Sequence, residues 1–229
     1  MNIQEQHTAG AQLLGFDYQL YYFMLLALEL KSGEKIGFEV KDDIHIEKKD
    51  GKTILFQAKH TIQENKNLTT LDSDLWKTLS NWVDFGKTET DFFKNHSFVL
   101  VTNKNDNDNQ FITVLSQFKQ NQDVDSVKTI LTELKDKTIN DTIKKYINNV
   151  NSLPKSNLKL FLSNLTIETD TTNIIYKVKS KILETIRQKN LVDTIYDSLV
   201  SNIQTTKYLD ITNGCSLILC CKILFVLNV

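Results

Sequence analysis

Residues 37–60 read GFEVKDDIHIEKKDGKTILFQAKH, two extended runs around Asp50-Gly51. An Asp-Gly pair between alternating apolar residues signals a tight hairpin turn. Successive strand residues point to opposite faces. Phe38, Val40, Ile44, Ile46, Ile54, Phe56 and Ala58 share the even positions, so one face should pack on a core. Glu39, Asp43, His45, Gln57 and Lys59 share the odd positions and the other face. Two acids, an amide and a lysine side by side fit a hydrolytic metal site, because carboxylate and amide oxygens suit a hard cation. A neighbouring lysine can hold a water or steady charge on a phosphoryl group. A solvated hairpin face would supply the same residue types. Against that stands the position of Gln57 and Lys59 inside the apolar run ILFQAKH, where a core strand has little use for them. His45 lies toward the turn and reads as a solvated histidine. His60 falls on the apolar parity and reads as a strand-end residue.

The order Glu39, Asp43, Gln57-x-Lys59 resembles the PD-(D/E)XK nuclease superfamily, in the variant with glutamine at the acidic position of the last motif. The stretches GFDYQLYYFMLLALEL, FEVKDDIHI, FQAKH and FVLVTN resemble, more narrowly, the nuclease domain of CBASS anti-phage effectors, which is shared with the Lamassu-type nuclease subunit. The resemblance covers the first half of the chain well and the second half loosely. It implies an α/β, restriction-endonuclease-like core with a helical C-terminal part. It also implies a Mg²⁺- or Mn²⁺-dependent endonuclease acting on double-stranded DNA. Glu39, Asp43 and Gln57 would bind the metal, with the carbonyl of Ala58 as a further ligand. Lys59 would orient the attacking water or stabilise the pentavalent charge. Asp42 is the alternative to Asp43 if a bulge shifts the parity. Tyr18 and Gln19 match the family's Tyr-Gln pair, either propping the hairpin or simply packing. An inactive scaffold that docks a partner and an RNA-directed nuclease of the same fold are the rival readings. The implied partners are an SMC-like ATPase, a small accessory subunit and further copies of the chain.

The 229 residues suffice for one large domain or one and a half, and 41% apolar content supports a real core. A net charge of −1 does not announce a nucleic-acid binder by bulk charge, so contact with DNA needs a local patch. Arg187 is the only arginine. Arginine-to-guanine pairs are the commonest specific readout, so a lysine-based surface predicts backbone binding with little sequence preference. Seven glycines in the whole chain form no phosphate-binding loop. No signal-peptide order opens the sequence, and Cys215, Cys220 and Cys221 make neither a disulfide framework nor a zinc site, so a cytoplasmic protein without membrane contact is expected.

Residues 17–31 read as a central helix capped by Asp17. Residues 72–85 read as a helix with Trp76 and Trp82 in the core, and SFVLVT at 97–102 as a buried strand. The loop NKNDNDNQ lacks the glycine and the final glutamate of a calcium loop. Beyond Phe111 the period turns helical, with stripes at 127–134, 139–150, 174–186 and 191–203. Pro154 breaks the run. The expected division is a nuclease core at 1–120, a helical continuation at 121–212 and an apolar tail at 213–229. That tail reads as a final strand, a sticky interface, or the end of a truncated or frameshifted product.

Overall fold

The structure, a computed structural model, describes residues 9–62 and 66–220. The chain is α/β and divides into two compact units, one built from the residues up to Ile62 together with those from Thr171 onward, the other from residues 63–170.

In the first unit, helix α1 (Ala9–Glu29) precedes strands β1 (Lys35–Phe38), β2 (Ile44–Glu47) and β3 (Thr53–Lys59). The chain returns to this unit as α8 (Ile174–Ile186), a 3₁₀ turn at Lys189–Leu191, α9 (Val192–Thr212) and β6 (Leu217–Cys220). Strands β3, β2, β1 and β6 lie in that order, and each neighbouring pair is antiparallel. Asp50-Gly51 forms the β2–β3 turn as expected, with Gly51 at φ 82° and its N–H donated to the Lys48 carbonyl. The first run, however, is not one strand. It folds back over residues 39–43, with Glu39 in the left-handed region at φ 53°. Val40 therefore sits on a turn and is exposed, contrary to its apolar parity.

Apart from Val40, the even face forms as read. Phe38 pairs with Ile44, Ile36 with Ile46, and Ile44 with Phe56. Helix α1 covers part of it with aromatics: Phe23 stands edge-on to Phe38 at 5.5 Å, and Tyr22 lies 6.1 Å from Phe56. Helix α1 also starts earlier than residue 17. Nothing in AQLLG breaks a helix except Gly15, whose cost of about 1 kcal/mol is small against the long apolar stretch that follows. Asp17 is thus an interior residue and not a cap.

The second unit holds α2 (Ser73–Thr88), α3 (Phe92–Asn95), β4 (His96–Thr102), α4 (Gln110–Asn121), α5 (Val124–Lys137), α6 (Asp141–Asn151), α7 (Lys155–Ser163) and β5 (Leu165–Glu168). Asp72, Asn109, Asp123 and Asn140 cap α2, α4, α5 and α6 through their side chains. Strands β4 and β5 are parallel, which requires the helical crossover between them. Trp76 and Trp82 are fully buried, against Phe111 and Phe98. Pro154 precedes α7, and LKLFLSNLTIE supplies both the end of that helix and β5.

The tail from 213 is not a detached appendage in its described part. Phe38 pairs with Leu217 and Lys35 with Cys220, so β6 covers the β1 edge. Residues 221–229 lie outside the described residues. Leu217 is 2% exposed and Ile218 46%. Leu217→Ala should therefore destabilise the protein by about 2–4 kcal/mol in urea unfolding, whereas Ile218→Ala should stay within about 0.5 kcal/mol of the parent. Equal, small losses would show that β6 contributes little.

Candidate functional site

The fold-back at residues 39–43 is the starting point of the site. Beyond the Phe38–Ile44 pair, the Glu39 N–H donates to the Asp43 carbonyl at 2.9 Å, which closes the turn. Beyond the Ile44–Phe56 pair, Gln57 is the residue facing Asp43. Glu39, Asp43 and Gln57 thus form one row across β1, β2 and β3 at the same end of the strands. Lys59 lies two residues further along β3, on the Gln57 side of the pleat.

Asp43 ties the row together. Its Oδ2 accepts the Ala58 N–H at 2.9 Å, so the turn is pinned to β3 by a carboxylate–amide hydrogen bond. The Ala58 group that meets Asp43 is therefore the N–H. Asp42 does a different job: its Oδ1 accepts the Asp43 N–H at 3.0 Å and shapes the turn. No bulge exchanges the two, and Asp43 is the acid in the row.

The charges of the row share one neighbourhood. Partial burial of the Glu39 carboxyl raises its pKa, and the negative charge of Asp43 raises it further, while Lys59 and Lys207 pull it down. Two carboxylates that repel each other are a fit for a divalent cation, which would relieve both. The donor set of Glu39, Asp43 and the Gln57 amide oxygen consists of oxygens, as a hard cation requires. Among the described residues, no group of three or more His, Cys, Asp or Glu side chains is placed to hold a metal ion. The set thus has two carboxylates, with the amide as its third side chain.

Lys207 is absent from the sequence-based set. It lies on α9, far along the chain from Lys59, so no local motif could include it. One signal was present: Ile195, Leu199 and Ile203 form the buried stripe of α9 at four-residue steps, and Lys207 is the next step. A lysine in phase with a buried stripe is worth tracing to whatever the stripe faces.

Tyr18 and Gln19 behave differently from each other. The Tyr18 hydroxyl donates to the Thr171 carbonyl at 3.1 Å, and its ring lies 4.9 Å from that of His60. Tyr18 thus holds the residue that follows Lys59, and partial burial lowers the His60 pKa. Gln19 is half-buried, and its Oε1 has no hydrogen-bond partner among the described residues.

His45 is not a solvated histidine. It is 1% exposed, and neither ring nitrogen has a hydrogen bond among the described residues. Leu55, its partner on β3, is buried as well, so the odd face is covered along this part of the sheet. Gly37 faces His45 across β1, where an added Cβ would run into the ring. The glycine makes room for the imidazole.

No protein-family model matches the chain, and no curated protein matches it. Two solved structures trace a similar path. One is the Cap4 SAVED/CARF-domain containing receptor of Moraxella osloensis, 17% identical, with a TM-score of 0.48 over 83% of this chain and 42% of that one. The other is the Acinetobacter baumannii Cap4 SAVED/CARF-domain containing receptor with the cyclic trinucleotide 3'3'3'-cAAA, 18% identical, with a TM-score of 0.49 over 85% of this chain and 41% of that one. The present chain spans less than half the length of either. Likeness of this degree assigns no residue a role. No helix among the described residues is long and apolar enough to cross a membrane.

Burial lowers the His45 pKa; Lys41 adds to the effect and Glu47, 3.8 Å from Nε2, opposes it. The folded state then takes up this proton less readily than the unfolded chain, whose histidine titrates near pH 6.5. Stability is complete above that pH and falls as pH drops through it, by at most about 1.4 kcal/mol per pH unit. The melting temperature should fall between pH 7.5 and pH 5.5, and His45→Leu should reduce that fall. An identical fall in both proteins would show that His45 does not titrate with unfolding.

Proposed function

We propose that the row of Glu39, Asp43 and Gln57, with Lys59 beside it, is a metal-dependent phosphodiesterase site that cleaves double-stranded DNA. The observation behind this reading is the convergence of that row with two lysines at one end of a small antiparallel sheet. The β1–β2–β3 meander backed by α1, with an acid at the entry to β2 and Gln-x-Lys at the end of β3, also fits the arrangement expected of a PD-(D/E)XK nuclease. A phosphate-cleaving site needs oxygen ligands and positive charge in one place, and an ordinary solvated hairpin has no such need.

In this reading Glu39, Asp43 and the Gln57 side-chain oxygen would hold Mg²⁺ or Mn²⁺. The cation would supply Lewis-acid stabilisation of the phosphoryl oxygens and a more acidic water. The chain's own residues do the rest. Asp43 keeps one carboxylate oxygen on the Ala58 N–H, which fixes its direction without a rotamer search. Lys59 places an ammonium beside Glu39, where negative charge grows as the phosphorus becomes five-coordinate. Tyr18 against His60 steadies the end of β3 and hence Lys59.

The biological setting belongs to the same proposal: a nuclease of an anti-phage system, active when assembled with partner subunits or with further copies of itself. One such site cuts one strand, so a double-strand break needs two sites. An SMC-like ATPase and a small accessory subunit are the partners that the sequence resemblance implies.

Supercoiled plasmid should be nicked in Mg²⁺ and left intact in EDTA, with RNA duplex cut more slowly under the same conditions. Asp43→Asn keeps an acceptor for the Ala58 N–H, so it should fold with an unchanged melting temperature and lose cleavage by at least about 100-fold, and Lys59→Gln should do the same. Dilution of the protein should shift products from linear to nicked circles. Folded variants that cleave at the parent rate would refute the site.

A further inference from the structure

We propose that Lys207 is a second phosphate-binding lysine of this site, gripping the nucleic-acid backbone next to the phosphate held by Lys59. The inference deepens the nuclease reading and rests on it for the identity of the ligand. Lys207 Nζ lies 5.6 Å from the centroid of the Phe38 ring, and Phe38 is the residue before Glu39. The geometry follows from the chain path. Helix α9 runs into β6, β6 pairs with β1, and β1 ends at Phe38, so Lys207, one turn before the half-buried Asp210, comes near the fold-back. Lys207 is half-buried there.

Its charge is also uncommitted. Among the described residues, neither Lys207 nor Lys59 has a carboxylate within ion-pair distance. Half-buried lysines with a structural role have oxygen partners: Lys104 lies 2.7 Å from Asp72, and Lys128 donates to the Asn151 and Leu153 carbonyls, whereas among the described residues no hydrogen bond or ion pair holds Lys207. Lys207 rests instead on an aromatic face. A cation–π contact contributes about 0.5–1 kcal/mol at such a site and leaves the ammonium's protons free for an incoming anion. The aromatic platform holds the long side chain in one place, which lowers the ordering cost when a phosphate arrives. Two lysines that both act on Glu39 would give a polyanion two contacts near the acids, as a lysine-based, arginine-poor protein needs to bind a backbone without reading bases.

The test is binding of a fluorescein-labelled DNA duplex by anisotropy, in EDTA so that nothing is cleaved, across a range of salt concentrations. Lys207→Gln should weaken binding and make the slope of log K against log salt shallower by about 0.9, the value of one lost phosphate contact. Lys207→Arg should restore the slope. Lys159→Gln, an equal change in net charge on the exposed face of α7, should leave it unchanged. A Lys207→Gln slope equal to that of the parent, a loss matched by Lys159→Gln, or a parent that binds no duplex would each overturn the proposal. A parent that binds with the full slope, yet never cleaves in Mg²⁺, would overturn the nuclease reading and leave Lys207 as a phosphate contact.

Discussion

The hydrogen bond from the Ala58 N–H to Asp43 Oδ2 is the contact on which the site depends. A tight fold-back with a left-handed Glu39 is a costly conformation for a non-glycine residue, of order 1–3 kcal/mol. It persists because its exit residue is anchored to the next strand. Once Asp43 is fixed, the register sets the rest. Glu39 faces Asp43, Asp43 faces Gln57, and Lys59 follows by the pleat. Charged residues that are far from adjacent in sequence then occupy one small region, where burial and the Asp43 charge raise the Glu39 pKa and Lys59 and Lys207 lower it.

Support for that region comes from two helices of the same unit. Helix α1 places Tyr18, Tyr22 and Phe23 against His60, Phe56 and Phe38, so the ends of β1 and β3 are both held by aromatic contact. Helix α9 continues into β6 and protects the β1 edge, which would otherwise present unpaired backbone groups. The same connection delivers Lys207. The odd face of the sheet is covered further along, where His45 lies over Gly37 without a hydrogen bond. That histidine is a liability in acid and belongs to the core, not to the chemistry.

Much of this was legible in residues 37–60. Asp50-Gly51 marked its turn because few other dipeptides suit the positive φ found at Gly51. The apolar alternation located the buried face, and Gln57 and Lys59 stood out because they interrupt it. The fold-back was hidden because Val40 stays in phase with that alternation while sitting exposed on the turn. A left-handed glutamate has no composition cue. His45 misled for a related reason: its burial depends on a glycine across the strand pair, and register, unlike parity, is not written in one strand. The early start of α1 is not legible in the sequence because Asp17, a good cap by type, lies inside the helix. The described part of the tail pairs with β1 as a strand, which buries Leu217 and leaves Ile218 exposed.

In the proposed site, acids from the fold-back and an amide from β3 form one seat for a divalent cation. Electron paramagnetic resonance of Mn²⁺ tests it directly, since free Mn²⁺ gives a sharp six-line signal that broadens on binding. Titrating the whole chain at fixed Mn²⁺ should remove the free signal with saturation, Mg²⁺ should compete, and Asp43→Asn should abolish the effect while the protein stays folded. An undiminished Mn²⁺ signal at millimolar protein, or the same loss of signal in Asp43→Asn, would contradict the account.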